Sequence, residues 1–354
     1  METSAPGPRP RILSIGTANP PRKYTQREVL DRLPGVSPKI ENIFLNSHID
    51  TRHLYLPDMG PEDYTEESNA ALLGRHRHGA LEIGPQAIRA CLGPMGLGVE
   101  DIDMLVCISS TGFLCPGITA HLIKEMGFRP DVHRADILGM GCNAGMNGLG
   151  LVAAFCAANP GKLALMVCVE VCSAAYVLND DVVTGVVNAL FGDGSAAVLL
   201  TAGGGASEAP GPSIHGFVSH IITDGIHTMR FDLDGAKLSF YLDKDIPYVI
   251  GANIRIPVGK LLAQHGLVKR QIRHWIVHSG GKKVIDSIKY NLDLTAWDMR
   301  HTEGVLRRFG NLSSGAFLFS YKELKEEGLA EPGDWGVAIA MGPGASIETA
   351  LLRW

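Results

Sequence analysis

Cys142 lies in a sequence context that favours a reactive thiol. It occupies the glycine-flanked segment GMGCNAG, and the stretch of small residues at 146–158 predicts a buried helix directly after it. Unpaired backbone N–H groups and the positive end of the helix dipole would then face the sulfur. That placement favours the thiolate, which is the nucleophilic form of cysteine. The sequence therefore predicts acyl transfer onto Cys142, provided that a base and oxyanion donors lie nearby.

Two further polar side chains stand at the ends of predicted elements. His278 follows the strand WIV and precedes two glycines, and Asn311 lies in the turn FGNLSSG that feeds a helix. Both have ordinary structural interpretations, since asparagine commonly caps helices and the chain has 13 histidines; His76 and His78 in RHRH are expected to be solvated. Active sites of α/β proteins, however, collect at the carboxyl ends of strands. We therefore predict that Cys142, His278 and Asn311 converge.

These three side chains suit decarboxylative condensation of thioesters. Cysteine accepts the acyl group as thiolate, and a pKa lowered from about 8.5 to about 6, worth about 3.4 kcal/mol, would follow from a nearby imidazolium and the helix end. Imidazole and amide would then stabilise the enolate formed when CO2 leaves; removing one such donor typically costs about 10²–10³ in rate. The chain has no G-x-G-x-x-G after a strand and no P-loop, so we expect neither an organic cofactor nor a metal.

The two halves of the chain repeat one pattern of elements. DIDMLVCISSTG parallels QIRHWIVHSGG, and GMGCNAGMNGLGLVAAF parallels FGNLSSGAFLFSYKEL. The repeat predicts a duplicated α/β core with helices buried between sheets. We place a disordered tail at 1–10, one half at 11–203, which carries the nucleophile, and the other at 213–354, with a Gly- and Pro-rich linker between them. Chance similarity of alternating α/β segments is the alternative.

Composition limits the class of partner. The net charge is −5, which argues against a nucleic-acid partner. We find no apolar run of the roughly 18 residues that a membrane helix needs, the longest candidate being 149–158, and no secretory signal at the N-terminus. Seven cysteines without a CxxC pair, five of them in apolar or small-residue segments, are typical of a reduced, cytoplasmic enzyme, and no zinc site is expected.

Together the motifs resemble the type III polyketide synthases, the chalcone synthase group of the thiolase fold. The resemblance rests on GMGCNAG, HSGGKKVID, FGNLSSG, LFGDGSAAVLL and GPGASIETALL and spans nearly the whole chain. It implies a thiolase-like, duplicated αβαβα layered core and an acyltransferase site of Cys142, His278 and Asn311. It also implies coenzyme A thioesters as substrates and a homodimer, with Cys115 in a loop that crosses to the partner.

The resemblance assigns further residues around the cavity. Phe240 and His215 take the places of two phenylalanines that gate the cavity, and a histidine there implies a smaller or more polar space. Ser314 would line the cavity beside the cysteine. Arg52 is expected at the coenzyme A entrance, and Lys283 in the loop that lies against the coenzyme A arm.

Four blocks are most similar to the bacterial 3,5-dihydroxyphenylacetyl-CoA synthases of glycopeptide-antibiotic pathways: FLNSHIDTRHLYLP, GMGCNAGMNGL, VCSAAYV and HSGGKKVID. Asn143 separates the chain from plant members, which carry an aromatic residue after the nucleophile. This similarity implies a malonyl starter extended by three malonyl-CoA units. Ring closure through a C–C bond and aromatisation with loss of water would give a precursor of dihydroxyphenylglycine.

Three alternatives stay open at this point. Another type III polyketide synthase would make a resorcinol, pyrone or naphthalene from a different starter. A β-ketoacyl synthase III-like enzyme would use the same three residues for one condensation, although that group usually shows an NHxxN-type block where this chain has VHSGGKK. A non-catalytic acyl-CoA-binding subunit is expected to lack the nucleophile, whereas Cys142 is intact.

Overall fold

The structure is a computed structural model that describes residues 8–33, 35–57, 67–176, 181–203, 211–234 and 237–354. Its strands are β1 (Pro10–Ala18), β2 (Lys23–Thr25), β3 (Thr51–His53), β4 (Met104–Ile108), β5 (His133–Ile137), β6 (Ala164–Glu170), β7 (Gly194–Ala202), β8 (Ser213–Ile221), β9 (Met229–Asp234), β10 (Lys237–Leu242), β11 (Ile272–Val277), β12 (Trp335–Gly342) and β13 (Ser346–Arg353).

The helices alternate with these strands along the chain. They are α1 (Gln26–Leu30), α2 (Pro38–Leu45), α3 (Asn69–Leu92), α4 (Ile118–Met126), α5 (Ala144–Ala158), α6 (Val182–Leu190), α7 (Ile246–Asn253), α8 (Arg255–Gln264), α9 (Lys282–Asn291), α10 (Arg300–Phe309) and α11 (Ala316–Glu327). Short 3-10 turns at Gly141–Asn143 and Ser313–Gly315 directly precede α5 and α11.

Both halves of the chain build their part of the sheet by the same rule. The strand order is β1-β7-β6-β4-β5 in the first half and β8-β13-β12-β11 in the second. In each, the first two pairs are antiparallel and the next pair is parallel. The halves join where Arg11 of β1 pairs with Ser213 of β8. This repeated topology agrees with the duplicated core that the sequence predicts.

The helices form layers on and between the two halves. Helix α5 contacts β4, β6 and β7 of the first half and β12 and β13 of the second, so it lies between them. Helix α11 likewise contacts β11 and β12 as well as β1, whereas α3 and α8 each cover strands of one half. Residues 204–210 of the expected linker and 1–7 of the expected tail lie outside the described residues, and residue 10 already belongs to β1.

Glycine allows the buried helices to approach the site closely. A Cβ at Gly145 of α5 would lie 2.2 Å from the carbonyl oxygen of Ser314, so no other residue fits there without displacing the turn. The turn that begins α5 and the turn that begins α11 are thereby packed against each other. This contact places the first turn of α5 next to the segment that contains Asn311.

The segment Gly141–Ala158 corrects the expectation that no apolar run is long enough to cross a membrane. By length and composition alone, Gly141–Ala158 is apolar enough to cross a membrane, but 61% of it is buried within the protein. Its small and apolar residues are those that a helix needs when both halves of the core pack on it. The stretch is therefore explained as the central core helix.

Candidate active site

Cys142 lies at the start of the central helix, as the sequence predicts. It is the middle residue of the turn Gly141–Asn143, and only 7% of it is exposed. Gly141 has φ +70°, and a Cβ there would lie 2.4 Å from the ring of Pro343. The turn is thus held tightly against the connection between β12 and β13, which fixes the position of the sulfur.

Ser313 and Asn311 are the polar neighbours of the thiol. The thiol donates to Ser313 Oγ over 3.6 Å, and the Asn311 side chain also hydrogen-bonds the sulfur. Asn311 Oδ1 accepts the Ser313 N–H at 2.8 Å. Because Oδ1 is occupied, the amide nitrogen of Asn311 remains as a donor for the cavity. Ser313 holds an unusual left-handed backbone (φ +49°), which turns its hydroxyl toward Cys142.

Ser314 points away from the cavity, which corrects the sequence-based assignment. It is fully buried, and its hydroxyl donates to Glu170 Oε1 at 2.5 Å. The left-handed turn at Ser313 directs these two successive side chains to different sides, so Ser313 lines the cavity instead. The sequence shows that two serines follow Asn311 but not which of them faces the cysteine.

Glu170 is a buried carboxyl group that sequence reasoning missed. It ends β6, is fully buried, and accepts hydrogen bonds from Ser314 and from the Ser110 N–H at 2.9 Å. Burial raises the pKa of this carboxyl to about 7. Its only sequence signal was a charged residue at the end of the apolar segment KLALMVCVE.

His278 directly follows β11, and its surroundings connect it to the Asn311 segment. It is 1% exposed, and its backbone N–H donates to the Ile339 carbonyl of β12 at 2.9 Å. The next residue, Ser279, donates through Oγ to the Gly310 carbonyl at 3.4 Å, one residue before Asn311. The structure therefore brings together the three segments that carry the predicted cysteine, histidine and asparagine.

Burial opposes a charge on either Cys142 or His278 taken alone. It raises the pKa of the Cys142 thiol to about 12, an effect that the charge of Glu170 strengthens and hydrogen bonds from Ser313 and Asn311 oppose. It lowers the pKa of the His278 imidazole to about 4. The helix end therefore does not by itself produce the thiolate that we expected. A thiolate is expected here only where a positive partner, such as an imidazolium, forms beside it, because opposite charges then offset part of each other's desolvation.

A cavity of about 400 Å³, counting the space open to solvent at its mouth, lies over Cys142. Its surface is mostly apolar, and the rings of Phe191 and Phe231, which line it, both contact the ring of Phe240. It is lined by Ser110, Thr111, Gly141, Cys142, Cys172, Ala175, Tyr176, Val187, Phe191, Phe231, Phe240 and Ser313. Phe231 and Phe240 belong to the hairpin of β9 and β10, which the sequence did not predict.

Phe240 lines this cavity as expected, but His215 does not. His215 lies on β8 with its ring 4.8 Å from that of Trp335, centroid to centroid, and its Nε2 3.1 Å from Ser213 Oγ. Phe191 lines the cavity instead, and its ring meets Phe240 edge to face at 5.6 Å. The expectation of a more polar cavity at this point is thereby corrected. Phe191 is the second residue of LFGDG, a motif that the sequence supplied without indicating this contact.

Arg52 is a structural residue and does not form a coenzyme A entrance. Its side chain is fully buried, and NH1 donates to the carbonyl oxygens of Asn188 and Phe191 at 2.6 Å and to the Tyr176 hydroxyl. A guanidinium committed to backbone carbonyls inside the protein cannot reach a ligand phosphate. Arg52 instead anchors β3 to the segment that carries Phe191.

A polar surface cleft lies outside the catalytic segments. It is lined by His48, Asp50, Lys282, Glu303, Leu306 and Arg307. Lys282 begins α9, four residues after His278, and Arg307 is near the end of α10, four residues before Asn311. We predicted that Lys283 would lie in a loop against the coenzyme A arm. It is exposed at the second position of α9, and its neighbour Lys282 lines the cleft.

Comparison with known proteins identifies the family. The model described as "Chalcone and stilbene synthases, N-terminal domain" matches residues 4–204, and that described as "Chalcone and stilbene synthases, C-terminal domain" matches residues 214–354. The chain belongs to this family. It is a type III polyketide synthase of the thiolase fold, an acyltransferase, which confirms the predicted family, fold class and enzyme class.

Individual relatives cover nearly the whole chain. The chain is 50% identical to a 3,5-dihydroxyphenylacetyl-CoA synthase of Streptomyces toyocaensis, over 98% of this chain and 90% of that one. It is also 50% identical to the protein of that name from Amycolatopsis balhimycina, over 97% and 93%. It is 32% identical to a 1,3,6,8-tetrahydroxynaphthalene synthase of Streptomyces peucetius subsp. caesius, over 97% and 93%. The solved structure of PKS-I from the brown alga Ectocarpus siliculosus superposes with a TM-score of 0.91 at 29% identity, over 99% and 100%.

We expect the reactivity of the Cys142 thiol to depend on His278. In His278→Ala no imidazole can take the proton, so the raised thiol pKa leaves little thiolate at neutral pH. Alkylation of Cys142 by iodoacetamide at pH 7, followed by peptide mass spectrometry, should be at least about tenfold slower than in the wild type and recover only as the pH rises. Exposed Cys115 provides an internal control in both proteins. If the rate of Cys142 alkylation depends on pH in the same way in the wild type and in His278→Ala, the proton does not move to His278.

Proposed function

We propose that this enzyme is a 3,5-dihydroxyphenylacetyl-CoA synthase that condenses four malonyl-CoA molecules, one of them as starter. The observation that carries the proposal is the 50% identity to relatives of that name over almost the full chain, against 32% to a tetrahydroxynaphthalene synthase. The product would serve as a precursor of dihydroxyphenylglycine in antibiotic biosynthesis. The geometry of the cavity supports the chemistry, step by step.

The first step loads the cysteine. The Cys142 proton passes to His278 as Sγ attacks the malonyl thioester carbonyl, and coenzyme A leaves as the thiol after taking that proton. The buried position of Cys142 supports this order, since a charged sulfur is disfavoured until a partner charge forms beside it. The dry surroundings also protect the acyl thioester from hydrolysis.

The second step makes the carbon nucleophile. A malonyl extender loses CO2, and the electron pair of the broken C–C bond moves into an enolate. Donors from the His278 imidazole and the Asn311 amide stabilise the enolate oxygen. Asn311 is suited to this role because its Oδ1 is held by the Ser313 N–H, so that its NH2 group is directed at Cys142 as a donor. The enolate carbon then attacks the Cys142 thioester, and Cys142 leaves as thiolate. The extended chain, now on coenzyme A, is transferred back to Cys142 before the next extension.

The third step closes the ring. After three extensions the chain bends within the cavity, one carbon attacks a carbonyl of the same chain, and loss of water gives the aromatic ring. Phe191, Phe231 and Phe240 lie on one side of the cavity and limit the space into which the chain can extend. We propose that these rings keep the chain short and folded.

We further propose that the reaction needs no metal or organic cofactor, and that the enzyme is cytoplasmic. Thioester activation and release of CO2 supply the driving force, so coenzyme A thioesters suffice as substrates. All seven cysteines are free thiols and six of them are buried, which is typical of a reducing compartment.

We propose that coenzyme A binds in the polar surface cleft lined by Lys282 and Arg307, next to the segments that carry His278 and Asn311. Lys282 and Arg307 supply positive charge there, within four residues of His278 and Asn311 respectively. Arg307 Nε is 3.9 Å from an Asp50 carboxylate oxygen, and both side chains are mostly exposed. An exposed ion pair of this kind is weak, so a phosphate can compete for the guanidinium.

The cleft is tested by kinetics with malonyl-CoA. Lys282→Ala combined with Arg307→Ala should raise KM about tenfold or more, because two phosphate contacts are lost, while kcat changes little. Arg270→Ala removes an exposed arginine on another surface and should leave KM unchanged. An unchanged KM in the double variant would place the coenzyme A arm elsewhere.

We propose a homodimer in which the Cys115 loop crosses to the partner subunit. The loop starts at the cavity residues Ser110 and Thr111 and then exposes Phe113, of which 68% is accessible, and Cys115. A large apolar side chain so exposed next to the active site is typical of a contact surface. The partner loop would then help to close each cavity.

The dimer is tested by light scattering after size exclusion. Wild-type protein should elute at twice the chain mass, and Phe113→Asp should shift it toward the monomer, because a charge at an apolar contact is costly. Tyr290→Asp alters a side chain that is 82% exposed in the other half and should leave the mass unchanged. A monomeric wild type would overturn the proposal.

The malonyl-only reaction is tested directly. Purified enzyme given malonyl-CoA as its sole thioester should release coenzyme A and form 3,5-dihydroxyphenylacetyl-CoA or the free acid, detected by mass spectrometry. Cys142→Ala should form neither, whereas Cys156→Ala, a buried cysteine of α5, should keep the activity. A requirement for another starter, or a naphthalene or pyrone as main product, would reject this function in favour of another type III synthase.

A further inference from the structure

The imidazole of His278 differs from other buried histidines in how it is held. His301 is fixed by Glu327, whose carboxylate lies 2.9 Å from Nε2. The sequence predicts that His76 is solvated, but it is 1% exposed, and its Nδ1 lies 3.4 Å from Thr111 Oγ1. Nδ1 of His278 is buried with no hydrogen-bond partner in the part of the chain that the structure describes. A histidine that exchanges protons is commonly oriented through its second ring nitrogen, so the orientation of His278 must come from its backbone and its packing.

The backbone of His278 is fixed on the side that faces the sheet. Strand β11 lies at the edge of the nine-stranded sheet, where it pairs with β12 alone. The N–H of His278 donates to the Ile339 carbonyl of β12 at 2.9 Å, and its carbonyl accepts the Gly280 N–H at 2.9 Å. Successive residues of a strand direct their backbone groups to opposite sides, so the Val277 carbonyl points away from β12. On an edge strand such a carbonyl needs a donor from outside the sheet.

Two buried hydroxyl groups supply these donors from two different helices. Thr302 of α10 donates through Oγ1 to the Val277 carbonyl at 3.0 Å, and Ser320 of α11 donates through Oγ to the same oxygen at 3.1 Å. Neither side chain has any exposed surface. A carbonyl oxygen has two lone pairs and accepts both bonds, and an unpaired carbonyl in the interior is costly. The two hydroxyl groups therefore hold this carbonyl in one direction.

We propose that Thr302 and Ser320 are positioning residues that keep the imidazole of His278 at the cavity by fixing the peptide group between Val277 and His278. The inference rests on the role of His278 in the proposed function. The Val277 carbonyl and the His278 N–H belong to one peptide group, so bonds at both ends prevent it from rotating and fix the direction of the His278 side chain. Without the hydroxyl groups the carbonyl turns toward another donor, and the ring moves away from Cys142.

The experiment measures kcat and KM for malonyl-CoA in the full-length enzyme, from the release of coenzyme A. Thr302→Val and Ser320→Ala each remove one hydroxyl group. Either variant alone should lower kcat about twofold, because the other hydroxyl still holds the carbonyl. The double variant should lower kcat about tenfold or more, with KM changed less than about twofold, because alignment is lost while the binding surface stays intact.

Two further variants separate positioning from stability. Thr302→Ser keeps the hydroxyl group, so when it is combined with Ser320→Ala the kcat should equal that of Ser320→Ala alone. Thr349→Val is the matched control, since Thr349 is 1% exposed and donates to the Val218 carbonyl at 3.0 Å in the same half of the chain. It should lower the melting temperature as Thr302→Val does and leave kcat unchanged.

Three results would overturn the inference. The first is a kcat of the double variant within about twofold of the wild type. The second is a loss that Thr302→Ser does not restore, and the third is an equal loss in Thr349→Val, since either would report general destabilisation. Should the double variant fail to fold, Thr302→Val is compared with Thr302→Ser, and an equal kcat in these two overturns the inference.

The failure of this inference differs from the failure of the proposed function. A wild type that makes another product, or needs another starter, overturns that function, and the kcat of its own reaction still tests the two hydroxyl groups. A His278→Ala variant with wild-type turnover overturns the role of His278 and the inference with it. Turnover that requires His278 but is indifferent to both hydroxyl groups overturns the inference alone.

Discussion

The exclusion of water from Cys142 is the constraint on which the rest of the site depends. A sulfur that is 7% exposed cannot hold a lone negative charge, and burial accordingly raises its pKa to about 12. In the proposed mechanism the nucleophile therefore forms together with a positive partner, which would give His278 a role before any enolate exists. The same dryness would strengthen each hydrogen bond that later reaches the enolate and keep water from the acyl thioester. Gly145 contributes directly, since a side chain there would separate α5 from the Ser314 turn.

The duplicated architecture explains why the site lies where it does. Each half delivers one 3-10 turn to the centre, Gly141–Asn143 before α5 and Ser313–Gly315 before α11, and both helices contact strands of both halves. The first turn carries the thiol. The second carries hydroxyl groups and follows the amide of Asn311. In the proposed mechanism, two equivalent helix starts would thus divide covalent attachment from stabilisation of charge on oxygen.

Local signals in the sequence were sufficient for the fold and for the three segments that the structure brings together. A strand end followed by glycines and a glycine turn before a small-residue helix are visible without any tertiary information. The residues that sequence reasoning misplaced depend on partners distant along the chain. Arg52 is buried by carbonyls more than a hundred residues away, Ser314 is turned aside by the backbone of its neighbour, and His215 lies on β8 while Phe191 meets Phe240. For polar residues, burial depends on whether tertiary partners are present, and no local pattern reports them.

The aromatic rings and the hydroxyl groups that line the cavity act on a bound chain in different ways. Phe191, Phe231 and Phe240 offer surface without direction, so they limit how far a chain extends but discriminate poorly between ways of folding it. The hydroxyl groups of Ser110, Thr111 and Ser313 also line the cavity, and Glu170, whose buried carboxyl has a pKa of about 7, accepts the Ser110 backbone N–H. Hydrogen bonds are directional, and in a dry interior an unsatisfied one is costly, so these hydroxyl groups can favour one position of a chain carbonyl over another. In the proposed reaction, chain length would therefore depend on the aromatic rings, whereas the choice of ring would depend on the hydroxyl groups.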